Sequence, residues 1–344
     1  MELKTIHNRM LENISDEYEK SKGEFIYDET MAAAIEIEKL HFKADEVIDK
    51  GFAETTSGRD LERICYEKDV YRHQATFATG TVTINGANGT AINSGQLVAS
   101  DSAVFGIISS GIITNETINV SVRCIQSGIV GNVPKGAIKS FPKTIAGLKT
   151  VTNTENFVNG YDTETDESLR ERYYLKVRTP ATSGNKYHYK NWAMEVVGVG
   201  FADVIPLEKG NGTVTVVIVN SNKQGADAVL IDKVSKHIEE NRPIGATVTV
   251  ESAAELRINI NVAITFDEQN TTLQEVKINI INNVTEHLKQ IAFKENYVSY
   301  AKIGNVILNC KGIIDYSNLK INEATSNILI GKKQVAVMGA LTIV

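Results

Sequence analysis

The sequence has few of the residues that mark secreted, metal-binding or membrane-spanning proteins. Its three cysteines, Cys65, Cys124 and Cys310, lie far apart and form no C-x-x-C pair, which argues against a disulfide framework and against a zinc knuckle. The most apolar stretch, Ala103 to Thr114, is broken by glycine and serine and is far shorter than a membrane span. The N-terminus lacks the continuous apolar core of a secretion signal. We therefore expect buried thiols in a reducing cytoplasm, no export through such a signal and no membrane insertion.

Basic residues are too few to hold nucleic acid. Lysine and arginine total 36 against 42 aspartate and glutamate residues, the formal net charge is −6, and no basic run replaces the missing positive charge. Hydrophobic residues make up 42% and charged residues 23%, as in ordinary folded proteins. Because 344 residues exceed the size at which one core keeps growing, we expect several domains and no nucleic acid partner.

Motifs for catalysis and cofactor binding are also missing. The six histidines have no metal-ligand spacing, and no G-x-S-x-G elbow is present. Gly131 and Gly136 have the spacing of a phosphate loop, but alanine and isoleucine follow where lysine and a hydroxyl residue are needed. Catalytic residues can converge from distant positions, so these absences lower the odds of an enzyme without excluding one. The sequence predicts no catalytic, cofactor-binding or metal-binding residue.

An acidic cluster at Asp162, Glu164, Asp166 and Glu167 resembles the start of a calcium loop. A calcium hand counted from Asp162 needs glycine at its sixth position and a carboxylate at its twelfth, and the sequence has glutamate and tyrosine there. Carboxylates in the first turn of a helix interact favourably with the helix dipole. We therefore interpret the cluster as the start of a helix over 166–178, which Pro180 prevents from continuing.

Residues 1–74 are predicted to be an N-terminal helical region. Its second helix, from about Glu29, is expected to end at Gly51 in a left-handed C-cap, and its third covers about Arg59 to His73. The stripe of the first helix has no obvious partner in the chain, so we predict an interface between protomers, with packing on the β-domain as the alternative. The second helix carries an apolar stripe at Ala34, Ile37, Leu40, Ala44 and Val47. The stripe of the first helix, at spacings of three and four, is Leu3, Ile6, Met10, Ile14 and Tyr18.

The rest of the chain is predicted to hold three further domains. Residues 75–158 are glycine-rich with short β-type runs and predict a small β-domain, in which Asn85-Gly86 and Asn88-Gly89 supply the positive φ of tight turns. Residues 159–254 alternate helices with strands and predict an α+β domain. A second helix of that domain, near 185–197, should bury Tyr189, Trp192 and Val196. Residues 255–344 predict a C-terminal α+β domain.

The fold class is therefore α+β and multidomain, with two α/β units that are ferredoxin-like or similar. The two α/β units share a helix-glycine-strand pattern, which suggests an internal duplication. The matching segments are Trp192–Gly198 running into Phe201–Ile205, and Ile303–Cys310 running into Ile313–Tyr316.

Many fragments of the sequence, taken in order, resemble the baseplate J family of contractile phage tails and tail-like particles. They include Gly89-Thr-Ala-Ile92, Val151-Thr-Asn153 and Gly210-Asn-Gly-Thr-Val214, and the C-terminal Asp315-Tyr316 resembles a branch from Gram-positive prophages. Asn159 departs from the pattern, because many members carry glycine there. The residues that carry the resemblance, all expected to be structural, are Gly128, Gly131, Asn132, Asp162, Asp166, Glu167, Arg170, Arg172, Gly184, Asn185, Trp192, Arg242, Pro243 and Gly245.

The resemblance implies a structural role in the virion tail baseplate, assembled in the cytoplasm of the bacterial host. The implied partners are other copies of the chain, two in each wedge of a sixfold ring, together with a partner wedge protein, the sheath initiator, hub and tube proteins and tail-fibre attachment proteins. The ring would surround the hub and couple host contact to sheath contraction.

Two other functions stay open at this point. A surface-binding adhesin would use the aromatic residues from Tyr187 to Trp192. A cell-wall hydrolase would use the acidic pairs Glu164 and Asp166 or Glu239 and Glu240.

Overall fold

The computed structural model describes residues 2–179, 181–182 and 184–344, so the predicted helix stop at Pro180 lies outside the described residues. The chain is mixed α and β and forms two compact units. The first unit comprises the residues up to Arg72 together with Thr165–Val177. The second unit comprises His73–Glu164 and Arg178–Val344.

The first unit is helical. Its core joins Leu61 and Cys65 of the third helix to Leu169 of the fourth, with Ala53 and Val70 buried beside them. The fourth helix therefore packs in this unit, although it lies in the segment 159–254 that was predicted as an α+β domain. The helices are α1 (Leu3–Glu12), α2 (Phe25–Lys50), α3 (Gly58–Tyr66) and α4 (Asp166–Arg178).

The predicted stripe on the first helix is wrong in its second half. Helix α1 ends at Glu12, so Ile14 and Tyr18 lie beyond it and do not share a face with Ile6. The cause is Asn13, which takes the C-cap position while its side-chain Nδ2 donates to the Arg9 carbonyl at 2.8 Å. The residues that follow, up to Glu24, lie outside any helix.

Two predicted helix ends also differ from the structure. Gly51 caps α2 with a φ of −77°, so the predicted left-handed C-cap is wrong and the helix ends in right-handed geometry. Helix α3 ends at Tyr66 instead of His73, because Asp69 adopts a φ of 52° and reverses the chain. That reversal carries Val70 into the core of the first unit.

The β-rich segment of the second unit forms a five-stranded sheet and a two-stranded ribbon around one apolar core. Val82 and Ile84 point inward opposite Val120 and Ile118, and the intervening Thr83 faces outward, where its hydroxyl donates to Asn119 Oδ1. The sheet order is β3-β4-β6-β1-β7, and β2 pairs with β5. The strands are β1 (Phe77–Gly86), β2 (Ala91–Ile92), β3 (Leu97–Ala99), β4 (Val104–Ile107), β5 (Gly111–Ile112), β6 (Thr117–Ser127) and β7 (Leu148–Asn153).

The two predicted glycine turns behave differently. Gly89 has a φ of 85°, as predicted. Gly86 lies at the end of β1 without a positive φ, so that part of the prediction is wrong. A Cβ atom at Gly86 would come within 2.4 Å of the Gly147 carbonyl oxygen, so glycine is needed there for the close approach of two backbones.

The central part of the second unit is a three-stranded sheet with two helices, in the predicted order. Strand β9 lies in the middle, antiparallel to β8 and parallel to β10, and α6 makes the parallel connection. Asn185 caps α5 and Asp227 caps α6 with side-chain oxygens. The elements are α5 (Lys186–Glu195), β8 (Val199–Pro206), β9 (Thr213–Asn220), α6 (Ala228–Asn241) and β10 (Thr247–Ser252).

The C-terminal part has a three-stranded sheet in the order β13-β11-β15. Its central strand, β11, is antiparallel to β13 and parallel to β15, so it again has one neighbour of each kind. A capping box between Thr272 and Glu275 opens its long helix. Val217 and Val335 belong to one buried cluster, so the central and C-terminal parts share a core. The elements are β11 (Ala254–Phe266), α7 (Leu273–Ile291), β12 (Tyr297–Val298), α8 (Tyr300–Leu308), β13 (Ile313–Ile321), β14 (Ile328–Leu329) and β15 (Gln334–Ile343).

A ferredoxin-like arrangement is not confirmed for either part. That fold follows the order β-α-β-β-α-β and has four strands. Each of the two sheets has three strands within the described residues, and the strands follow one another differently along the chain in the two parts. In the part of the chain that the structure describes, no helix combines the length and the apolar character that crossing a membrane requires.

His287 of α7 is a half-buried histidine whose enclosed Nε2 atom has no hydrogen-bond partner among the described residues. Burial lowers its pKa below the ordinary value of 6.5, Lys302 lowers it further, and Glu295 opposes both effects. The Glu295 carboxylate, which favours the protonated form of His287, is already paired with Lys302 at 2.7 Å. The folded protein therefore keeps His287 neutral in conditions where the unfolded chain would bind a proton.

We expect acid to destabilise the C-terminal part through His287. The pKa is lowered on folding, so the stabilisation is complete above the unfolded value of 6.5 and is lost as the pH falls toward the folded value. Urea unfolding at pH 7.5 and pH 5.0 measures this loss. In His287→Gln the difference between the two pH values should shrink, and an unchanged difference would contradict the assignment.

Candidate interaction surface

Helix α1 packs on the N-terminal half of α2. Ile6 and Ala34 are fully buried where the two helices meet. The His7 Nε2 atom lies 2.9 Å from the Thr30 hydroxyl, and the Leu3 amide donates to Glu38 Oε1 at 2.7 Å. The prediction that the α1 stripe has no partner in the chain is therefore wrong, because α2 covers its inner side.

The second half of α2 carries an apolar seam whose first residue, Ile37, is half-buried and whose other three residues are exposed. Ile37, Leu40, Ala44 and Val47 follow one another at spacings of three, four and three, the spacing of a coiled-coil seam. Leu40 is 64% exposed and Val47 is 68% exposed. We call these four residues the α2 seam. Every residue of α2 after position 41 is exposed, so the seam is open to a second helix.

The sequence contained the signal for this surface, because the apolar stripe of the second helix includes all four residues of the seam. A 3.5-residue repeat over ten residues fits a core-facing helix and an intermolecular seam equally well. The structure separates the two readings, because α1 starts beside Glu38 and runs toward the start of α2, away from the seam. Of the predicted α1 stripe, Ile6 is buried against α2 and Tyr18 is 59% exposed beyond the end of α1, so its role as an interface stays a prediction.

Several of the motif residues hold loops of the β-rich segment together. The Asn132 side chain donates to the Gly160 carbonyl at 2.9 Å and accepts from the Gly160 amide at 2.9 Å. A Cβ atom at Gly131 would lie 2.7 Å from the Cβ atoms of Ala78 and Cys124, so only glycine fits under the sheet. Each of these residues has a packing reason to be present.

The acidic cluster is likewise engaged with backbone groups. Asp162 Oδ1 accepts from the Ile129 amide at 3.0 Å, beside Gly128 with its φ of 101°. Glu164 Oε2 accepts from the His73 amide at 3.0 Å. Within the described residues, no three histidine, cysteine or acidic side chains are placed to hold a metal ion.

In the first unit, Asp166 ties the start of α4 to α3. Its Oδ2 atom accepts from the Gly58 amide at 2.8 Å and its Oδ1 atom pairs with Arg72, which also binds Glu62. The Gly58 amide and the Arg72 guanidinium hold the pKa of Asp166 below its usual range. We call this arrangement the Asp166 clamp.

Two arginines of α4 brace the same unit. The Arg170 guanidinium donates to the carbonyls of Ala53 and Thr56. Arg172 is 8% exposed and donates to the Tyr71 carbonyl at 3.0 Å. Glu167 lies exposed in the first turn of the helix. The arginine residues therefore hold carbonyl groups that the loops before and after α3 leave unpaired.

The remaining motif residues shape the central part of the second unit. Trp192 is buried, with its ring edge-on to Tyr189 at 5.2 Å. Gly184 has a φ of 73° and lies against Pro243. Arg242 closes the turn after α6 by donating to the Ala246 carbonyl at 2.6 Å. All of these contacts are structural.

We expect Asp166→Ala to cost about 1–2 kcal/mol of unfolding free energy, because hydrogen bonds to a charged group are lost at a site that is one-third exposed. Glu167→Ala is the matched control, since it removes a carboxylate from the same helical turn but no clamp. The control should cost less than about 1 kcal/mol. Urea denaturation followed by circular dichroism measures both, and equal costs would show that the clamp adds nothing to the dipole effect.

Comparison with known proteins identifies three family domains, which follow one another along the chain. They are the baseplate J-like protein barrel domain over residues 81–160, the baseplate J-like central domain over 181–252 and the baseplate J-like protein C-terminal domain over 258–344.

Similar proteins come from phages and phage-like elements. The phage-like element PBSX protein XkdT of Bacillus subtilis is 34% identical over 98% of this chain and 96% of its own length. The baseplate protein gp47 of Escherichia phage Mu is 27% identical over 67% of this chain and 68% of its own. Among solved structures, a chain of the anti-feeding prophage baseplate matches 98% of this chain and 89% of its own, with 9% identity and a TM-score of 0.39. With three matching domains that cover more than half of its residues, the chain belongs to the baseplate J-like family.

Proposed function

We propose that this chain is a structural subunit of the baseplate of a contractile phage tail or phage-tail-like particle, and that it has no catalytic role. Membership of the baseplate J-like family supports this proposal, as does the printed name of the phage Mu relative, a baseplate protein. The residues that carry the family resemblance also support it, because they make internal hydrogen bonds and packing contacts.

The observation that carries the assembly role is the open α2 seam. Burying an apolar side chain of the size of leucine or valine stabilises an interface by about 1.5–3 kcal/mol. A helix that leaves two such side chains more than 60% exposed loses that stabilisation unless another helix covers them. Coiled-coil spacing makes a second helix the natural cover.

The proposed assembly is a sixfold ring around the hub with two copies of the chain in each wedge. Its proposed partners are a partner wedge protein, the sheath initiator, hub and tube proteins and tail-fibre attachment proteins, and its place is the virion baseplate assembled in the host cytoplasm. Rigid packed units change between discrete arrangements more readily than they deform. That property suits a ring that rearranges when host contact triggers sheath contraction.

We also propose the division into segments 1–74, 75–158, 159–254 and 255–344, with the last two derived from one repeated unit. In support, α5 leads to β8 through Gly198 with a φ of 103°, and α8 leads to β13 through Gly312 with a φ of 91°. In both parts, the central strand has one antiparallel and one parallel neighbour. Because the strands follow a different order along the chain in the two parts, such a duplication must have been followed by a rearrangement of the strands.

No specific contact favours the other two functions. Tyr189 and Trp192 are 2% and 8% exposed, so they do not form the open aromatic platform that an adhesin needs. Of the acidic pairs considered for a hydrolase, Glu164 accepts from a backbone amide and Asp166 belongs to the clamp. Glu239 is held by both nitrogens of the Arg242 fork at 2.6 Å.

Deleting the gene tests the assembly role directly. Negative-stain images of particles from the deletion strain should show tubes and sheaths without a terminal plate, and the wild-type gene supplied in trans should restore the plate. Normal plates in the deletion strain would refute the proposed function.

Complementation with variants of α2 tests the seam. Leu40→Glu combined with Val47→Glu removes two buried contacts from the proposed interface and should weaken it at least about a hundredfold, so plates should fail to form. Both side chains are exposed in the single chain, so its melting temperature should stay near the wild-type value.

The matched control is Ile35→Glu combined with Phe42→Glu. These residues are also exposed and seven positions apart, but the helical repeat places them on the opposite side of α2 from Leu40 and Val47. The control variant should restore plates. If both double variants fail equally, the seam is not the contact surface.

A further inference from the structure

The sequence contains four asparagine residues that are followed directly by glycine, at positions 85, 88, 159 and 211. Asparagine is a chemically labile residue, and a following glycine makes it more so. The backbone nitrogen of the glycine can attack the side-chain amide carbon, and no Cβ atom hinders that approach. Whether a given Asn-Gly pair reacts therefore depends on how the fold holds the asparagine side chain and the glycine amide.

Two of the pairs lie in the β-rich segment, and both are held. The Asn85 side chain donates to the Thr150 hydroxyl at 2.9 Å, and the amide of the following glycine donates to the Glu116 carbonyl at 3.0 Å. The Asn88 Oδ1 atom accepts from the Glu116 amide at 2.7 Å, and the amide of its glycine donates to the Ile113 carbonyl at 2.9 Å. In each pair, both reacting groups must break a hydrogen bond before they can meet.

The pair at Asn159 is held in the same way. Its Oδ1 atom accepts from the Thr79 amide at 2.8 Å, and its Nδ2 atom donates to the Thr79 hydroxyl at 3.0 Å. The Gly160 amide donates to Asn132 Oδ1 at 2.9 Å. A hydrogen-bonded amide is protected from base until the structure opens locally, as it is from hydrogen exchange.

The fourth pair, Asn211-Gly212, lies in the hairpin loop between β8 and β9, and both residues are exposed. The loop is held by other groups, because the Thr213 amide and hydroxyl both donate to the Gly210 carbonyl. The Gly212 carbonyl accepts from the Thr247 amide at 2.8 Å, which leaves the Gly212 nitrogen uninvolved. Among the residues that the structure describes, neither the Asn211 side chain nor the Gly212 amide has a hydrogen-bond partner.

We propose that Asn211 is a site of spontaneous deamidation in the folded protein, and that the fold protects the other three Asn-Gly pairs. Base removes the Gly212 amide proton, and the nitrogen forms a bond to the Asn211 side-chain carbon. The bond from that carbon to the side-chain nitrogen breaks, and ammonia leaves with a proton returned by water. The resulting succinimide ring is opened by water at either carbonyl, which gives aspartate or isoaspartate.

The modification changes the hairpin in two ways. Either product adds one negative charge to a chain whose formal net charge is −6. Isoaspartate also places the β-carbon of the residue in the backbone, which lengthens the loop between two paired strands. The inference does not depend on the proposed baseplate role, since it concerns the chemistry of the chain itself.

Incubation of the purified full-length protein at pH 8 and 37 °C tests the proposal. Proteolysis and mass spectrometry of the peptides follow the conversion of amide to acid at each of the four asparagines. Asn211 should react at least about tenfold faster than each of the other three, because their reacting groups are held by hydrogen bonds. A rate at Asn211 that is no faster than the others would overturn the proposal.

Two controls show whether the fold sets the preference. In urea the four rates should converge, and an undiminished lead of Asn211 there would overturn the proposed protection by the fold. Asn211→Gln must close a larger ring, so it should form no new acidic species on isoelectric focusing during the incubation in which the wild-type protein does. An acidic species that forms at the wild-type rate in this variant would place the reaction at another residue and refute the assignment to Asn211.

Discussion

Backbone amide and carbonyl groups inside a folded protein must find hydrogen-bond partners, and the long loops of this chain make that requirement demanding. Side chains meet it where no helix or strand can. Asn132 pairs with both backbone groups of Gly160, and Asn153 binds the amide of Ile138 and the carbonyl of Pro134. Asp162 and Asp166 each accept from a loop amide. Most of the acidic and amide residues that give the sequence its family character are thus explained by folding alone.

That requirement also bears on function. A carboxylate that accepts backbone amides is stabilised as an anion, and its pKa falls away from the range that acid–base chemistry needs. The lowered pKa of Asp166 illustrates this, because the Gly58 amide and Arg72 both favour its charged form. Apolar side chains left exposed along one side of α2, as at Leu40 and Val47, instead offer a surface that another protein can cover.

The sequence predicted local structure well and contacts between elements poorly. The bounds of α4 and α5 were predicted to within about two residues, because cap residues mark their starts in the sequence itself. The end of α1 was missed, since Ile14 and Tyr18 continue the apolar period after Asn13 has stopped the helix. Periodicity records which side of a helix is apolar but does not record where the helix stops.

Prediction of the candidate surface failed for a related reason. The α2 seam was visible as a stripe, but only the direction in which α1 packs decides that the stripe stays uncovered, because α1 starts beside Glu38 and runs toward the start of α2.

The proposed ring, with two copies of the chain in each wedge, would need two different kinds of contact. One contact must relate the two members of a pair, and a self-complementary helix seam can do this because the same residues serve both partners. The other must pass from pair to pair around the ring, which a surface that binds only itself cannot do.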